Sequence, residues 1–73
     1  MAQLSHSQYD QLERAIIDGE RISLYRRGTE YVVIPTSLKT VEGHEAVLAT
    51  HPTTGERMTF VLNEIDRFEV VGK

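Results

Sequence analysis

Residues 55–71 read GERMTFVLNEIDRFEVV, the pattern of a strand, a tight turn and a second strand. Met58, Phe60 and Leu62 alternate with Thr59 and Val61, so one face of the first strand is apolar. Asn63 and Glu64 break the alternation, and Ile65 restarts an apolar series that runs through Phe68 and Val70. Two short strands are not stable alone in water, so the rest of the chain has to supply a sheet that closes over this face.

Upstream, His51-Pro52-Thr53-Thr54-Gly55 is a loop punctuated by proline and glycine. It follows a strand at residues 45–50 that carries Ala46, Val47, Leu48 and Ala49. Glu42-Gly43-His44 turns the chain into that strand. Before it, residues 30–34 form a β-branched strand. Pro35 has no ladder donor and marks a bend or bulge, after which Thr36 to Val41 continue the strand. Arg27-Gly28-Thr29 is a hairpin turn, and residues 21–26 form the first strand, with Ile22 and Leu24 on one face and Ser23 and Tyr25 on the other.

The first segment is helical. Ser5 with Gln8 three residues on makes a capping box, and Leu4 and Tyr9 stand at the positions of a hydrophobic staple. Tyr9, Leu12, Ala15 and Ile16 form an apolar stripe, flanked by Asp10 and Glu13, and Gly19 stops the helix. One helix of about residues 5–18 and five short strands over about residues 20–71 predict a single α+β domain. In it an N-terminal helix packs on a small five-stranded antiparallel barrel of the Sm-like or SH3-like type, the chief alternative being an open five-stranded sheet with the helix across one face. The predicted core is Leu12, Ile16, Ile22, Leu24, Val33, Leu48, Phe60, Leu62, Ile65, Phe68 and Val70.

Composition narrows the function classes. The chain has 73 residues, 40% hydrophobic and 26% charged, which suits a soluble globular domain with a thin core. It has no cysteine, hence no disulfide. The start, MAQLSHSQYD, lacks the basic region and apolar run of a signal peptide, and no apolar stretch approaches the ~20 residues of a membrane span. A cytoplasmic location is expected. The net charge of −3 argues against non-specific coating of nucleic acid and fits a partner carrying positive charge.

No catalytic constellation is visible. His6, His44 and His51 have no metal-ligand spacing, and residues 44 and 51 are an odd number apart along a strand. Ser5 and Ser7 stand where helix caps stand, and Ser23 and Ser37 have no glycine-rich elbow. Thr53-Thr54-Gly55 lacks the lysine of a phosphate loop. The carboxylates are scattered. The expectation is a non-enzymatic binding module without cofactor or metal. Two surfaces are candidates: Asp10 and Glu13 on the helix for a protein, and Tyr25, Arg26 and Arg27 for single-stranded RNA through stacking and phosphate contact.

Two families resemble parts of the chain. Tyr9-Asp10-Gln11-Leu12-Glu13-Arg14-Ala15 is similar to the Y-D-x-L-E-x-A start of the Rof family. Gly55-Glu56, Leu62-Asn63, Ile65 and Phe68 resemble its closing G-E…L-[DN]-x-I-x-x-F pattern. Rof proteins are small bacterial antiterminators in which a helix packs on an Sm-like barrel. The resemblance implies docking on the RNA-loading surface of the transcription terminator Rho, with Asp10 and Glu13 meeting its basic groups. Ser7 and Gln8 stand where that family tends to have acidic residues. Residues 21–35, RISLYRRGTEYVVIP, with Thr59-Phe60 and Leu62, are similar to the WYL domain, a ligand-sensing Sm-like module of transcription regulators. Glu45-Ala46-Val47 occupies that domain's Trp-Tyr-Leu position and Met58 replaces its arginine, so the resemblance extends to the barrel of a sensing or scaffold domain but not to its ligand site.

Overall fold

The computed structural model describes residues 4–72. The stretch read for a signal peptide lies partly outside the described residues. Helix α1 spans His6–Asp18 and is followed by strands β1 (Arg21–Arg26), β2 (Thr29–Val41), β3 (His44–Thr50) and β4 (Arg57–Val61). A 3-10 turn at Leu62–Glu64 leads into β5 (Ile65–Gly72). The chain is thus α+β, with the helix packed on a five-stranded antiparallel sheet in the order β4-β3-β2-β1-β5. Its radius of gyration of 11.1 Å is that of a compact chain of this length.

Local chemistry sets the helix ends. The Ser5 hydroxyl accepts from the Gln8 backbone N–H, and the Gln8 side chain accepts from the Ser5 N–H, so the capping box is complete. At the other end Gly19 adopts φ 67°, a conformation that is cheap only without a Cβ, and the Glu20 N–H donates to the Ala15 carbonyl. Two residues therefore link α1 to β1. Leu12 and Ala15 are fully buried, with Ile16 packed beside them, and the helix rests chiefly on β2 and secondarily on β5.

The sheet curls because β2 is long and bent. Its first half pairs with β1, and its second half pairs with β3. The register shifts between Pro35 and Ser37, so Thr36 is an extra residue, and its hydroxyl donates to the Leu48 carbonyl at 3.1 Å. This is how a bulge re-aims a strand without leaving the ladder unsatisfied. The β1–β2 and β2–β3 hairpins both turn through two positive-φ residues, Arg27-Gly28 and Glu42-Gly43, the pattern whose twist matches the strands.

One core results, built from Leu12, Ala15, Ile22, Leu24, Val33, Val47, Ala49, Phe60, Leu62 and Ile65, with Phe68 and Ile16 packed against it. Two expectations are corrected. Leu48 is only half-buried and Val47 takes the core position, because Val47 stands opposite both Phe60 and Leu38. Val70 is 37% exposed, since it lies near the end of an edge strand with no neighbour on its outer flank. The expected Asn63-Glu64 turn takes the form of a 3-10 turn that begins one residue earlier, at Leu62. No helix of the described residues is long and apolar enough to cross a membrane.

Candidate protein-binding surface

Burial of Leu12 and Ala15 in the core sets the rotation of α1, and that rotation decides what each side chain faces. With Leu12 and Ala15 inward, Asp10, Glu13 and Arg14 are exposed. Ile17 is 81% exposed, four residues from Glu13 and three from Arg14, so it stands in the same outer strip. Asp10 and Glu13 therefore occupy the exposed side of the helix, each one flank of it.

Tyr9 is the hinge between helix and barrel. Its hydroxyl donates to Glu45 Oε2 at 2.9 Å, tying α1 to the start of β3. The Tyr9 hydroxyl is pushed above its ordinary value near 10, first by the hydrogen bond to Glu45, then by partial burial, and then by the negative charges of Glu45 and Glu13. Both carboxylates thus act on one phenol. Glu13 stands one turn after Tyr9 on the exposed side of the helix, and Glu45 is exposed at the start of β3.

Beside this region lies an open cleft of about 280 Å³. It is lined by Leu4, Tyr9, Gly43, His44, Glu45, Leu62 and Asn63. It is built by the residue before the helix cap, the helix, the β2–β3 turn with the start of β3, and the 3-10 turn. A second groove, about 380 Å³ and more apolar, runs over Thr36, Leu48, Ala49, Thr50, Arg57, Met58 and Thr59 at the β2 bulge.

The residues singled out for RNA do not form one patch. Tyr25 is on the outer face of β1, opposite Arg67, and the Arg67 guanidinium lies 4.3 Å from its ring centroid. Its ring face already holds a cation. Arg26 has the opposite parity. Its guanidinium is 5.1 Å from the ring centroids of both Tyr31 and Phe60, and it donates to the Tyr31 hydroxyl at 3.3 Å. Tyr31 and Phe60 in turn pack with centroids 5.2 Å apart. Arg26 thus covers one side of the aromatic core, and of the three only Arg27, in the hairpin turn, is fully exposed.

The histidines also have separate settings. His51 Nδ1 accepts from the backbone N–H groups of Thr53 and Thr54 and so shapes the β3–β4 loop, whereas His44 is exposed at the rim of the cleft. Among the described residues no group of three or more His, Cys, Asp or Glu is arranged to hold a metal ion. Every buried side-chain polar atom among them has a partner; Ser23, for one, donates to Glu30.

Glu45 and Ile17 are the members of this surface that the sequence alone does not single out as binding residues. The position of Glu45 opposite Tyr9 follows from tertiary packing and has no local signal. Ile17 carries one, since it is an apolar residue off the stripe set by Leu12 and Ile16. No family model, curated protein or solved structure matches this chain, so its function has to be argued from this surface and from the sequence motifs it carries.

Proposed function

We propose that the chain is a non-enzymatic, protein-binding regulator of transcription in the bacterial cytoplasm. In this reading it resembles the Rof antiterminators in action as in sequence, occupying the RNA-loading surface of Rho and keeping RNA off it. The observation that carries the reading is the hydrogen bond from Tyr9 of the helix to the exposed Glu45 of β3, with the exposed carboxylates Glu13, one turn on, and Asp10 on the same helix. Carboxylates held on a rigid scaffold meet arginine and lysine through charge-assisted hydrogen bonds and take the places that phosphates would fill. The net charge of −3 steers such a partner toward the surface. Exposed Ile17, in the same strip, supplies an apolar contact among the charges.

An RNA-binding reading has less support. Of its three residues, Tyr25 and Arg26 are already engaged within the chain.

Calorimetric titration of purified Rho with the protein tests the proposal. Micromolar or tighter binding is expected, about −8 kcal/mol or better. The Asp10→Lys, Glu13→Lys variant should lose it while keeping its circular dichroism and melting temperature, since both side chains are exposed. Absence of heat from the wild type rejects the reading.

A further inference from the structure

The cleft beside Tyr9 is built around one exposed carboxylate. Glu45 brings a carboxylate with about four lone-pair sites, and the Tyr9 hydroxyl reaches one oxygen, Oε2. Among the described residues no lysine or arginine lines the cleft, and His44 at its rim is the basic side chain in the wall. Asn63 adds an amide whose carbonyl is a further acceptor, and the Tyr9 ring offers a π face. Leu4 and Leu62 supply the apolar part of the wall. A volume of about 280 Å³ falls just below the ~300–1,000 Å³ of pockets for drug-sized ligands, and it suits one long side chain.

We infer that this cleft receives the cationic head of an arginine or lysine of a partner protein, with the ammonium or guanidinium against Glu45 and the aliphatic stem on Leu4 and Leu62. The inference rests on the acidic-surface reading above for the nature of the partner. The cleft adjoins the Tyr9–Glu13 side of the helix, so a protein seated on the helix can reach it, and its open mouth admits a side chain attached to a larger body. A long basic side chain also has the right shape, an apolar stem with a charged tip.

The test has an arm without Rho and an arm with it. In the first, amide shifts of the ¹⁵N-labelled protein are followed during titration with N-acetylarginine amide, with its neutral isostere N-acetylcitrulline amide, and with agmatine. Saturable shifts at Gly43, Glu45 and Asn63 are expected with the arginine derivative, at roughly millimolar affinity for so small a probe. They should be absent with the citrulline derivative and lost in Glu45→Gln, whose side-chain carbonyl still accepts from Tyr9 and so keeps the fold. Equal shifts with citrulline, or none with arginine, overturn the inference. Agmatine binding far tighter than the arginine derivative would assign the cleft to a free amine and overturn the side-chain reading.

In the second arm, Glu45→Gln and the cleft-filling Asn63→Trp should each weaken Rho binding roughly tenfold or more, the loss of about one charge-assisted hydrogen bond. If wild type and both variants bind Rho equally, the cleft inference falls and the regulator reading stands. If wild type does not bind Rho, the regulator reading falls and the titration decides the cleft.

Discussion

Two tyrosines of this small molecule face opposite charges. Tyr31 accepts a hydrogen bond from Arg26, whose guanidinium also lies over the Tyr31 and Phe60 rings, so the cation that this region attracts is supplied from within. Tyr9 donates to Glu45, with Glu13 adding its field, and among the described residues no lysine or arginine lines the cleft alongside, only His44 at its rim. The aromatic region is closed and the acidic region is open. Where the chain supplies a cation for its own aromatic faces, the result is structural; where an exposed carboxylate meets neither lysine nor arginine, the surface is left for something else to complete.

The largest way to break the comparison is at Phe60, which is 1% exposed and carries both Tyr31 and Arg26. Phe60→Ala should cost about 3–5 kcal/mol, comparable to the whole stability of a domain this small. Thermal melting by circular dichroism checks it, and an unchanged midpoint would remove Phe60 from the centre of the core.

Next comes Arg26→Ala, which removes the guanidinium contacts and the packing of the stem. About 1–2 kcal/mol is expected by urea denaturation, with Arg26→Lys recovering part of it. A neutral Arg26→Ala would mean the aromatic region is not closed by that residue.

Smallest is Tyr9→Phe, about 0.5 kcal/mol at neutral pH because the hydrogen bond is exposed. Its sharper signature is in alkali. Folding favours the neutral phenol, so this contribution is complete below pH near 10 and is lost as pH rises through the higher folded-state value. Wild type should therefore lose stability at roughly pH 11 more steeply than Tyr9→Phe does. Matching alkaline profiles would show that Tyr9 and Glu45 are uncoupled.

Local devices were legible in the sequence. The capping box at Ser5 and Gln8, the stop at Gly19, the bend at Pro35 and the break at Asn63 each depend on neighbours along the chain, and each is found. The exposure of Asp10 and Glu13 followed from helical period alone. The register of β3 was not legible, because Ala46 to Ala49 are apolar at both parities and only the partners Leu38 and Phe60 choose between them. Arg26 was legible but is easily misread. It shares the parity of Ile22 and Leu24, which points it inward, yet its charge suggests solvent. The meeting of Tyr9 with Glu45 depends on how the helix lies over the barrel, which no local pattern encodes.

The strand order has a kinetic consequence. β1 to β4 pair in sequence, each with the next, so that meander can zip through short loops. The β1–β5 ladder instead joins Ser23 to Glu69 and Arg21 to Gly72, pairing the first and last strands of the sheet-forming segment. Its loop-closure entropy is met before its contacts form, which makes it the slow, topology-limited step of folding. Substitutions confined to the outer flank of β5 should then change the unfolding rate more than substitutions in the β2–β3 hairpin change it, and the barrel should open first along that seam.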